Sequence, residues 1–204
     1  MTSGYGIPKD PWELVFRITP GVGGDPYEAW KSDGPYTTNS DVNCQTIESN
    51  PRCTRHFRST LLQRWSEEAT SKVKVGIYKD GKEVHNITFN AKGSNLTSWF
   101  SKERVLNTTY IGILKINLEF NYFSLEGLTD VNAVRRFYIS QIFDGCPNDK
   151  GWMMVVANRL SSECAYDKHP SFPAIVYVRN PEGGNIYDGW NVSDALGVFI
   201  YHQL

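Results

Sequence analysis

Two short-range cysteine pairs constrain this chain more than any other feature: Cys44 with Cys53, and Cys146 with Cys164. Each pair brackets a stretch rich in Asn, Asp, Pro and Ser that has too little apolar surface to order itself. A disulfide holds its two Cα atoms roughly 4.4–6.8 Å apart, so each pairing folds such a stretch back on itself. Paired cysteines belong to an oxidising compartment. The alternative is four free thiols in a reducing one, with the local pairing a coincidence.

Four Asn-x-Ser/Thr sequons, at Asn86, Asn95, Asn107 and Asn191, point the same way. The first three fall at polar strand positions or in turns, where a glycan reaches solvent. The expected address is therefore secreted, extracellular. No apolar h-region opens the chain, so the expectation is a mature chain without its signal peptide. No stretch approaches the roughly 20 apolar residues that span a bilayer, and no membrane span is expected. A net charge of -1 and no Lys/Arg block longer than two residues give no pull on nucleic acid or anionic lipid.

The apolar pattern has mostly period two, the signature of strands. In Trp12–Ile18 the residues Trp12, Leu14, Phe16 and Ile18 share one face. Val73, Val75 and Ile77 alternate up to Asp80-Gly81, and His85, Ile87 and Phe89 resume beyond it, which predicts a hairpin. Leu114–Tyr122 alternates without a fault and predicts a half-buried strand. Trp152–Ala157, Ala174–Val178 and Leu196–Tyr201 are apolar on both sides and read as central strands. Helical spacing of Phe57, Leu61, Leu62 and Trp65 predicts a helix over 55–67. Shorter helical pieces are expected at 27–30 and 96–104. Eight or nine strands, an aromatic content of 13% that suits pleated surfaces, and the absence of an internal repeat predict one all-β domain over 1–204. Its expected form is an antiparallel sandwich or jelly roll with one or two short helices.

No nucleophile elbow, zinc helix or phosphate loop is present, and the chain reads as a non-enzyme with no catalytic residue and no metal. Gly21-Val-Gly23-Gly24 lacks the third glycine and the helix of a dinucleotide fingerprint, and reads as turn glycines. His56, His85, His169 and His202 are isolated in sequence. Cys146 with His169 or His202 as base is set aside in favour of the Cys146–Cys164 disulfide. Acidic loops at 144–149 and 185–194 carry oxygen ligands, but without the alternating spacing of a calcium loop. Tyr187, Asp188 and Trp190 are the candidate ligand site: an aromatic face beside a carboxylate can hold a sugar. The competing reading packs Trp190 under its loop as core.

Several segments together carry a resemblance: Arg135-Arg-Phe-Tyr-Ile139, Gly145–Trp152 running into Met153–Val156, Cys164, Pro173–Tyr177, Ser193–Ile200, and near the start Trp12–Arg17 and Tyr27–Trp30. The pattern resembles secreted proteins of molluscs, most closely the gastropod egg perivitellin subunits of the ovorubin type. That resemblance implies a glycosylated storage protein that assembles as a homo- or hetero-oligomer and carries a carotenoid. It transfers no binding residue. The expectation is thus a secreted, non-enzymatic binding or storage protein for an apolar small molecule. The alternatives are a lectin-like carbohydrate-binding module and an extracellular matrix or structural protein.

Overall fold

The computed structural model describes residues 11–32, 42–47, 53–65, 71–115 and 117–201. In chain order the strands are β1 (Trp12–Ile18), β2 (Phe57–Arg58), β3 (Lys72–Lys79), β4 (Lys82–Asn90), β5 (Val105–Thr108), β6 (Tyr122–Ser124) and β7 (Leu128–Thr129). They continue with β8 (Ala133–Ile142), β9 (Lys150–Arg159), β10 (Ala174–Val178), β11 (Gly184–Asn185), β12 (Trp190–Val192) and β13 (Ala195–Tyr201). Two short helices, α1 (Pro26–Lys31) and α2 (Ile186–Gly189), complete the regular elements together with 3-10 turns. No helix among the described residues is long and apolar enough to cross a membrane.

The strands form two antiparallel sheets, so the expected all-β sandwich is the fold. The first sheet has the order β2-β1-β13-β3-β4-β5; the second runs β12-β10-β9-β8-β6, with β11 beside β9 and β7 beside β8. Each sheet is filled by consecutive strands, except that β13 returns to lie between β1 and β3. The hairpin of β3 and β4 turns on Asp80 and Gly81, both at positive φ (52° and 72°). A two-residue I′ turn asks for that conformation, and Asp-Gly adopts it readily.

The inward faces share one core. Phe16, Val75, Ile87 and Val198 of the first sheet meet Phe137, Met153 and Ile175 of the second. One end of this core is closed by Trp30, Trp65 and Trp99, with Trp30 edge-on to Phe16 at 5.2 Å between ring centroids. α1 delivers Trp30: Asp25 caps it by accepting the Tyr27 N–H at 2.8 Å, and Pro26 opens the first turn.

Smaller apolar clusters lie on the outer faces. On the second sheet, Tyr138, Met154, Val156, Val176 and Val178 are covered by Tyr166, Ile186 and Cys164, with Cys146 packed against them. On the β1–β2 side of the first sheet, Cys44, Cys53 and Phe57 pack with Leu14, and the Arg17 guanidinium donates to the Thr46 carbonyl at 2.7 Å. Both expected disulfides are formed. The second fastens a polar loop over the outer apolar cluster of the second sheet, and the two half-cystines of the first are themselves part of the small cluster with Phe57 and Leu14.

Two expectations fail. Of the helix expected over 55–67, the described residues 55–65 contain β2 and a 3-10 turn over Thr60–Arg64 instead of an α-helix, and 66–67 lie outside the described residues. Ser59 caps that turn, while Phe57 and Arg58 pair with β1, so a sheet edge outcompetes a short amphipathic pattern. Leu114–Tyr122 is not a strand either. A 3-10 turn ends at Leu114, and strand pairing starts only at Tyr122. The alternation places Leu118 and Phe120 against the core, but the described residues between Leu114 and Tyr122 pair with no strand as the chain passes from the first sheet to the second. At 96–104, the helical piece is confined to a 3-10 turn over Lys102–Arg104.

Candidate functional site

The sequons differ in how they meet solvent. Asn107 sits on β5 opposite Thr88, and Asn86 lies two residues from Thr88 on β4, so both project from the outer face of the first sheet. Asn95 lies in the turn after β4, exposed. Its side-chain oxygen accepts the Thr97 and Ser98 N–H groups at 3.0 and 2.8 Å. The Asn107 oxygen accepts the Thr108 N–H. In both, the amide nitrogen makes no hydrogen bond among the described residues. By contrast, the Asn86 amide donates to Glu83. Asn191 donates to the Gly189 carbonyl and pairs with Tyr177, whose ring is in the main core.

Tyr187, Asp188 and Trp190 share one corner but divide their roles. Asn185 caps the single turn of α2, which leaves Tyr187 44% exposed and Asp188 exposed. Trp190, on the edge strand β12, is half-buried against the outer cluster of the second sheet and stands edge-on to His169 at 5.6 Å. The core reading thus accounts for much of Trp190, and the tyrosine and carboxylate stand apart from its packing.

The groups weighed for catalysis are engaged structurally. Cys146 is bonded to Cys164, and the His169 ring bonds the Tyr166 carbonyl. His85 stacks on Tyr110 at 4.0 Å, and burial lowers its pKa. His56 accepts the Thr19 N–H, and burial lowers its pKa to about 4. His202 lies outside the described residues. Of the acidic loops, Asp194 takes Lys79 at 2.8 Å and the Asp80 N–H, and these hydrogen bonds outweigh burial to lower its pKa. Among the described residues, no three His, Cys, Asp or Glu side chains converge to hold a metal ion.

Beneath the second disulfide lies a polar network that no motif announced. Arg135 forks onto Asp167 at 3.1 and 2.7 Å and also donates to the Tyr138 hydroxyl. Tyr166 donates to Asp149 at 2.5 Å, and Ser162 donates to Asp167 at 2.5 Å. All six side chains are buried. Burial opposes the Arg135 charge, but the Asp167 hydrogen bonds prevail and raise its pKa. For Tyr166, burial and the bond to Asp149 both raise the phenol's pKa.

One cleft was invisible in the sequence. It has a volume of about 280 Å³ and is lined by Tyr27 of α1, Thr97, Ser98 and Phe100 of the turn after β4, and Phe123, Ser124, Leu125 and Glu126 around β6. These three segments are far apart in the chain, and none carries a spacing that names a site. A second depression of about 450 Å³ lies beside Glu119, Phe120 and Gln141. Compared with protein-family models, curated proteins and solved structures, the chain matches none.

Proposed function

We propose that this chain is an extracellular, N-glycosylated, non-enzymatic binding protein. The observation that carries the reading is the placement of the two disulfides. Both lie within outer apolar clusters, so these parts of the architecture rest on crosslinks that persist only in an oxidising environment. The Asn95 and Asn107 side chains, with oriented oxygens and unengaged amide nitrogens, add support. In this reading the buried ionisable groups serve the fold: Arg135, Asp149 and Asp167 bond one another and their neighbours instead of opening into a cleft.

The storage form of this reading is an oligomer that carries a carotenoid, as the perivitellin resemblance implies. Its support is the exposed apolar pair Val131 and Leu160. These are brought together where the Leu160 N–H bonds the Asn132 carbonyl. A pigment of that length would lie between copies, because many of each chain's aromatic rings pack against one another inside. Native mass and an absorption spectrum of the protein from its source test the whole reading. Glycosidase-sensitive mass supports the extracellular part, and a multimer with visible absorption supports the storage form. A colourless monomer removes the storage form, and an unmodified mass with four titratable thiols removes the extracellular one.

A further inference from the structure

We infer that the cleft between α1, the turn after β4 and β6 is a saccharide-binding site, with Phe123 as the ring that stacks on a sugar and Glu126, Ser98 and Ser124 as its hydroxyl partners. This goes beyond the extracellular reading, and only the chain's own glycan as occupant rests on it.

The argument begins with what the cleft offers. Phe123 is half-buried and lines the opening, and its ring packs at a tilt against Phe100, which lines the same cleft, at 5.3 Å between centroids. A half-covered ring held by another ring offers a fixed apolar surface. The C–H face of a pyranose is a flat apolar surface of matching kind.

Around this face lie polar groups poised to bond. Ser124 accepts the Gly127 N–H at 3.0 Å, and Ser98 accepts the Asn95 N–H at 3.0 Å. Each hydroxyl is thereby oriented and keeps its own proton to donate. Glu126 is exposed at the rim, and its carboxylate makes no hydrogen bond or ion pair among the described residues. A carboxylate with two acceptor oxygens suits a pair of neighbouring sugar hydroxyls. The Tyr27 hydroxyl likewise has no hydrogen bond among the described residues.

Size narrows the occupant. At about 280 Å³ the cleft is just below the ~300–1,000 Å³ typical of small-molecule sites. That suits one or two sugar rings and is too short for an extended polyene. The polar rim disfavours an apolar ligand as well.

Two sources could supply the sugar. Asn95 is tied to the cleft wall, its side-chain oxygen accepting the N–H groups of the lining residues Thr97 and Ser98. A glycan on its free amide nitrogen starts beside the cleft. A separate glycan presents the same chemistry from outside.

The test places the full chain, made through a eukaryotic secretory route, on a glycan array beside Asn95→Asp, which removes the sequon and keeps the side-chain oxygen that accepts the Thr97 and Ser98 N–H groups. Glu126→Gln and Phe123→Leu are each introduced into both backgrounds. The site predicts saccharide binding in at least one background, lost at least tenfold on Glu126→Gln and on Phe123→Leu. Equal binding with and without Asn95 assigns the site to a separate glycan. Binding that appears only in Asn95→Asp assigns it to the chain's own glycan, which otherwise fills the cleft. Glu126 is exposed, so its variant keeps the parent's urea midpoint and its loss of binding is read free of unfolding. No saccharide bound in either background, or binding that survives Glu126→Gln and Phe123→Leu together, overturns the inference.

Discussion

Asp167 shows how much can rest on one side chain. It is fully buried, and it takes the Arg135 fork and the Ser162 hydroxyl. Without the Asp167 carboxylate, the Arg135 guanidinium still keeps Asp149 at 3.5 Å as a counter-charge, so the cost is that of buried hydrogen bonds left unmade, about 1–3 kcal/mol. Asp167→Asn is expected to lower stability by that order in urea unfolding with the disulfides intact; no measurable loss would contradict the network's role. His56 gives a pH signature. Its folded pKa, lowered by burial to about 4, lies below the ordinary 6.5. Between those values the unfolded chain binds a proton that the folded chain refuses, so stability rises with pH through that window and is lost as pH falls through it. The full difference is about 3 kcal/mol at 1.36 kcal/mol per pKa unit. Unfolding midpoints at pH 7 and pH 4.5 should therefore differ more in the parent than in His56→Gln, and equal differences would exclude His56 as the cause. None of this was legible in the sequence. Arg135, Asp149 and Asp167 are scattered along the chain, and only the folding of β8 against the loops around β9 brings them together.

At the scale of elements, period two identified β1 and the β3–β4 hairpin, and continuous apolar runs identified β9, β10 and β13, each of them a strand with neighbours on both sides. Period two misled at Leu114–Tyr122. Alternation reports which side of a segment meets the core, and a connection lying against the core satisfies it without a partner strand. β8 hides another feature. Phe137 has φ 45°, rare for a residue with a side chain, within a stretch where pairing with β9 slips. The irregularity lets Phe137 enter the main core while Tyr138 joins the outer cluster. The cysteine pairs were legible from spacing, but the apolar clusters beneath them were not. Loops of this length are worth about 3 kcal/mol each by loop-closure entropy. Cys146→Ser with Cys164→Ser is expected to lose at least that much, with increased binding of a hydrophobic dye as the outer face of the second sheet opens. Unchanged dye binding and stability would show that the loop stays closed without its crosslink.

For the whole molecule, the sequons divide into two groups once the sheets are formed. Asn95 and Asn107 are exposed with unengaged amide nitrogens, whereas Asn191 bonds Gly189 beside the core residue Tyr177. Site-resolved occupancy should be higher at Asn95 and Asn107 than at Asn191, and the reverse order would show that exposure in the folded chain does not govern their use. The candidate ligand trio at Tyr187, Asp188 and Trp190 was chosen for being contiguous. The cleft was missed because its walls come from three distant segments. The extracellular reading is tested most directly by peptide mapping of the protein from its source, without reduction and with glycosidase treatment. The account predicts peptides linked Cys44 to Cys53 and Cys146 to Cys164, with glycan released from Asn95 and Asn107. Four free thiols and unmodified asparagines would contradict it.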